Sequence, residues 1–139
     1  MTSIIRRIIT SIKAPKPAAP YNQAIVVDNF VFLSGVLGMD KDTMKLVEGG
    51  IRAETRQALK NIGYILEAAG SSYENVIKNT VMLNDIKDYG TVNDIYKEFF
   101  KKDFPARSCY QVGKLPLGAN IEIEVIAVAG NAKTIQLKL

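Results

Sequence analysis

Histidine is missing altogether from the 139 residues. Its absence removes the side chain most used for proton transfer near neutral pH, and the commonest metal ligand. A Ser-His-Asp triad is excluded, and so is a zinc site built on histidine. Cysteine is nearly as scarce: Cys109 stands alone, so no internal disulfide can close, which suits a reducing compartment. No apolar run approaches the ~18–20 residues that a membrane-spanning helix requires, so no membrane partner is expected. Any chemistry must run on carboxylate, arginine, hydroxyl, thiol and backbone groups, and the cytoplasm is the expected location.

Acid is missing locally. Arg6, Arg7, Lys13 and Lys16 all precede the first acidic residue of the chain, Asp28. Of 18 basic residues, the 14 that remain beyond these face 14 acidic ones. The net charge of +4 therefore sits at the N-terminus. The balanced body carries no basic stripe and no aromatic-rich basic motif of the kind nucleic acid calls for. The opening MTSIIRRIITSIK fits two readings. It is amphipathic and acid-poor like a mitochondrial import helix, and rich in β-branched isoleucine like an edge strand. The Pro-rich turn APKPAAP that follows favours the strand.

What is present reads as one domain, with a hydrophobic fraction of 47% and a charged fraction of 23%. AIVVDNFVFLSGV (24–36) predicts two strands around the turn pair Asp28-Asn29. From Ile51 to Ala69 the apolar residues recur at three–four spacing, an amphipathic helix stopped by Gly70. VIKNTVML (76–83) predicts a strand. Asp88 is a candidate cap for a second helix carrying Val92, Ile95, Tyr96, Phe99 and Phe100, which Pro105 prevents from continuing. RSCYQVG and NIEIEVIAVA predict two last strands joined by KLPLGA. The order implies an α+β fold, a mixed sheet with two helices on one face. In NIEIEVIAVA, Ile121, Ile123, Val125 and Ala127 point one way, while Ile126 and Val128 join Glu122 and Glu124 on the other. Both faces are apolar, and another copy of the chain is the expected cover for the second.

FPARSCYQV (104–112) holds a lone strand arginine. Alternation puts Arg107, Cys109 and Gln111 on one side, and Glu122 and Glu124 on one side of the next strand. The short connection predicts an antiparallel pair, with Arg107 and Glu122 facing one pocket, although the parity of the register is not readable from sequence. A guanidinium fork suits a carboxylate, and a half-buried glutamate can move a proton. A structural Arg–Glu pair at an interface is the alternative.

FPARSCYQV together with IEIEVIAVAG resembles the RidA (YjgF-type) family of reactive-intermediate deaminases. PYNQA (20–24), FLSGVLGMD (32–40), ETRQALKNIGYILEAAG (54–70) and TVNDIYKEFF (91–100) extend the likeness over nearly the whole chain, with eukaryotic members most similar. The resemblance implies a chorismate-mutase-like homotrimer whose sheets pack around the threefold axis, with active sites at subunit interfaces. It implies cofactor- and metal-free hydrolysis of 2-imino acids such as 2-iminobutanoate and 2-iminopropanoate. These arise from pyridoxal-phosphate-dependent dehydratases and yield 2-keto acids and ammonia. By the same resemblance, Arg107 binds the substrate carboxylate, Glu122 positions or activates the water, and Tyr21 stands at the pocket mouth. Ser34, Gly35, Asn93 and Cys109 line the site, with Gly35 letting backbone approach the ligand. The bland alternatives are a buried Tyr21, a strand bulge at Ser34–Gly35, a solvated Asn93 and a small apolar Cys109. Two departures bear on substrate preference: Ala19-Pro20 where Gly-Pro is common, and Val36 where glutamine is common. A translation-inhibiting ribonuclease and a chaperone-like binding protein are the competing classes.

Overall fold

Alternation and turn chemistry place the first strands. In the computed structural model, which describes all 139 residues, β1 (Arg6–Ile9) pairs antiparallel with β2 (Ala24–Val27), and β2 with β3 (Phe30–Leu33). The chain reverses at Asp28, whose φ of 51° is a left-handed conformation that Asp and Asn adopt more readily than most. Residues 6–9 are thus an edge strand of the sheet.

Helix α1 (Gly50–Ala68) buries Ala58, Leu59, Ile62, Ile65 and Leu66, the stripe read from the sequence. Leu59, Ile62 and Leu66 are completely buried, each contributing about 1.5–3 kcal/mol relative to exposure. Past the helix Gly70 turns left-handed at φ 72°; its N–H donates to Glu67 O and that of Ser71 to Leu66 O, satisfying the last carbonyls.

β5 (Val76–Leu83), α2 (Tyr89–Tyr96) and β6 (Ala106–Gln111) form a crossover unit, with β5 and β6 parallel. Asp88 does not cap α2: its side chain makes no cap bond there. The helix is entered through a 3-10 turn, Ile86–Asp88, so the capping duty moves upstream to Asp85, which accepts from the Lys87 N–H.

β7 (Ile121–Val128) runs antiparallel between β3 and β5, and β4 (Val36–Leu37) continues along it beyond β3. The strand order is β1-β2-β3-β7-β5-β6. The expected β6/β7 pair is therefore corrected. The crossover through α2 commits β6 to the free side of β5, and the two-sided apolar β7 takes the centre. The KLPLGA connection has only one strand to clear, about 10 Å across the sheet, well within the reach of six residues.

Both helices cover the face carrying Val31, Val81, Leu83, Ile121, Ile123 and Ala127, all buried. The architecture is the expected α+β arrangement. On the opposite face Phe30 (46% exposed), Phe32 (45%) and Ile8 (57%) lie beside the half-buried Ile25, Val27, Ile126 and Val128.

Candidate active site

Register decides where the candidate residues point. Arg107 pairs with Asn79 of β5, which pairs with Val125 of β7; all three look toward the helices. Glu122 pairs with Met82, an odd number of residues away, so it looks the other way. The expectation of one shared pocket within a chain is overturned: Arg107 and Glu122 project from opposite faces of the sheet.

On the helix side, Arg107 Nη2 donates to Asn93 Oδ1 at 2.8 Å and to the Tyr89 hydroxyl at 3.3 Å. Its guanidinium carbon lies over two rings, 4.7 Å from the centre of Tyr96 and 5.5 Å from that of Tyr89. No carboxylate pairs with it: the ion pairs of the chain are Lys13–Glu67, Lys41–Asp42 and Arg56–Glu98. Arg107 is thus a half-buried cation held by neutral groups, with most of its five N–H donors unspent. Asn93 is accordingly a partner of Arg107 and not a solvated helix residue. Cys109 follows on the same face, half-buried. Burial pushes its thiol up, against the pull of Arg107, which disfavours the thiolate form.

Glu122 borders a cavity of about 490 Å3 lined by Tyr21, Ser34, Gly35, Leu37 and Leu117 and reaching Asn61 and Ile65 of α1. The pairing of β7 shifts by one residue between Phe32/Ile126 and Val36/Ile123, so Ser34 and Gly35 together oppose Glu124. This is a bulge, and it serves the site, because a Cβ at Gly35 would collide with the Glu122 carboxylate. The Ser34 hydroxyl donates to Asn22 O at 2.6 Å and its N–H to Gln23 O at 3.0 Å, tying the segment that carries Tyr21 to the cavity wall. Tyr21 is exposed at the rim. Glu122 makes no hydrogen bond or ion pair, and burial, then the neighbouring Glu124 charge, raises its carboxyl above the usual range. A carboxylate that burial disfavours holds a proton more readily, as a group that takes a proton from water must. No group of three metal-ligating side chains comes together.

Two members of the arginine site escaped the sequence reading as site residues, Tyr89 and Asn79, and Tyr96 was read only as core. Tyr89, Asn93 and Tyr96 follow i, i+4, i+7 spacing, a polar-aromatic stripe along one side of α2 that alternation-minded reading of the strands does not see.

The family model described as Endoribonuclease L-PSP matches residues 11–129. The chain belongs to that family. It is 54% identical to the RutC family protein UK114 of Drosophila melanogaster over 134 residues, 96% of this chain and 97% of that one. It is 52% identical to the 2-iminobutanoate/2-iminopropanoate deaminase of Homo sapiens over 137 residues, 99% of this chain and all of that one. Among solved structures, E. coli TdcF with bound serine superposes with a TM-score of 0.85 at 36% identity, covering 89% of this chain and 99% of that one. The resemblance drawn from the motifs to reactive-intermediate deaminases thus holds across the whole domain.

Proposed function

We propose that this protein is a cofactor-free hydrolase of small 2-imino acids, with each active site built from two copies of the chain in a homotrimer. One observation carries the reading. A half-buried arginine without an acid and a half-buried glutamate without a base stand on opposite faces of one sheet. Each is electrostatically incomplete alone, and only a second copy can set one against the other. The apolar face around Phe30 and Phe32 supports the same assembly, since its burial supplies the driving force. The name of the human relative and the serine bound to TdcF support a small carboxylate-bearing substrate.

In this assembly Arg107 binds the substrate carboxylate through its unspent N–H edge, each charged hydrogen bond being worth about 1.5–3 kcal/mol. Glu122 of the adjoining copy holds a water against the imine carbon and takes one of its protons as the C–O bond forms. The resulting carbinolamine receives that proton on nitrogen. Its C–N bond then breaks and its hydroxyl proton leaves, giving a 2-keto acid and ammonium. Water and the iminium carboxylate supply every atom of the products, so no redox partner enters. Positioning and one proton relay, about 10²–10⁴-fold for the latter, meet what such a reactive electrophile demands.

The test is subunit complementation. Arg107→Ala and Glu122→Ala should each be inactive alone. Co-refolded in equal amounts, they should regain about a quarter of wild-type imine hydrolysis, because a head-to-tail ring places intact Arg107 beside intact Glu122 at that fraction of interfaces. Mixed assemblies with no recovery would sink the shared site. Full activity of either variant alone would sink the residue roles.

A further inference from the structure

Resting on the carboxylate clamp proposed above, we propose that Tyr96, anchored from behind by Asn79, is the positioning residue that aims Arg107. The guanidinium sits on an edge strand with a neighbour on one side only. A long side chain there is free to swing, and ordering it on ligand binding would weaken the clamp. Tyr96 removes that freedom. It is 5% exposed, its ring stacks on Phe100 with centres 4.4 Å apart, and its open face carries the Arg107 cation. Its hydroxyl accepts from Asn79 Nδ2 at 2.6 Å.

The manner of the restraint matters. A carboxylate partner would hold Arg107 just as firmly but would occupy the N–H edge and cancel the charge. A ring face attracts the cation through its quadrupole and leaves the N–H donors for a ligand. Arg107 is thus pre-aimed without being neutralised.

Asn79 is the second observation. The helix-facing positions of β5 are otherwise Val76, Val81 and Leu83, all buried. Asn79 is 0% exposed, lies directly beside Arg107 in the register, and its Oδ1 has no partner. For the core alone an aliphatic residue would be better, because a half-satisfied buried amide destabilises. Its one bond goes to the Tyr96 hydroxyl, which fixes the ring that supports the clamp.

The experiment compares binding of 2-oxobutanoate with that of the uncharged 2-oxobutanamide by calorimetry, in wild type, Tyr96→Phe, Tyr96→Leu and Arg107→Ala, together with 15N relaxation of the Arg107 Nε–H. Tyr96→Leu should weaken the acid about 5- to 30-fold and the amide hardly at all, and should loosen the Arg107 Nε–H. Tyr96→Phe keeps the ring but frees it from Asn79, and should lose about 2- to 5-fold for the acid only; being isosteric, it also tests the idea should Tyr96→Leu not fold. Equal weakening of acid and amide, or lower thermal stability with unchanged acid preference and a rigid Nε–H, would reduce Tyr96 to a core residue. If Arg107→Ala itself keeps the acid preference, the clamp falls and the positioning role with it. If Arg107→Ala loses that preference while both Tyr96 variants retain it, only the positioning role falls.

Discussion

On its helix-covered face the sheet buries Val31, Val81, Leu83, Ile121 and Ile123 completely, whereas the opposite face leaves Phe30 and Phe32 nearly half exposed. The same strands supply both. The covered face also satisfies many of its polar groups: Asn61 donates to Leu37 O and Met39 O, Tyr73 donates to Leu59 O, and buried Glu54 accepts from the Asn120 N–H. Asn79 Oδ1, Thr55 Oγ1 and the acid-free Arg107 are exceptions. The other face holds apolar rings with no partner and a glutamate with no counter-charge. Phe30, Phe32 and Glu122 are the groups that the proposed assembly would cover.

The contrast is most sharply broken by charging the open face. Phe32→Glu should leave the circular dichroism of the domain nearly intact, since Phe32 takes no part in the core, yet reduce the mass in sedimentation to that of one chain and abolish imine hydrolysis. An unchanged mass would mean that this face is not the interface. On the covered face the opposite pattern is expected. A Cβ at Gly63 would collide with the Tyr73 hydroxyl, so Gly63→Ala should destabilise by about 1–3 kcal/mol in urea titration while the assembled mass stays the same. Tolerance of that substitution without loss would show the Tyr73 packing to be looser than its 2.6 Å bond to Leu59 O indicates.

The smallest effect concerns Glu122 itself. Its folded carboxyl titrates above the ordinary 4.5, chiefly through burial, so the folded state favours the neutral form. The stability this lends is complete below the unfolded value and is lost as pH rises through the folded one. In the single chain released by Phe32→Glu, where no second copy brings Arg107 against it, Glu122→Gln should therefore raise the melting temperature slightly at neutral pH, and the gain should vanish as the solution is acidified below the ordinary carboxylate range. A gain that persists in acid would point to something other than the charge.

Much of this was legible without coordinates. The three–four stripe ending at Gly70 is α1, and VIKNTVML is β5 to the residue. The two-sided apolarity of NIEIEVIAVA marks β7, whose Ile121, Ile123, Val125 and Ala127 are buried and whose Ile126 and Val128 are half-buried on the other face. The helix cap was misplaced by three residues, because a 3-10 entry turn takes over before the α-helix begins. The pairing of the last two strands was misread for a different reason. A short connection favours a hairpin, but here β6 had already been committed to β5 by the crossover, and no local signal reports a commitment made twenty residues earlier.

The sequence by itself determined which residues are apolar and at what period, and hence the elements, their covered sides and the apolar character of the open face. It also excluded histidine chemistry and, through the resemblance carried by FPARS and IEIE, pointed to Arg107 and Glu122 as candidates. Only the tertiary structure decided that these two look in opposite directions, that Arg107 rests on Tyr89, Asn93 and Tyr96, and that Gly35 makes room for Glu122. The physical reason is that a strand's side chains alternate with a period of two: which face a residue occupies is a matter of parity, set by long-range pairing.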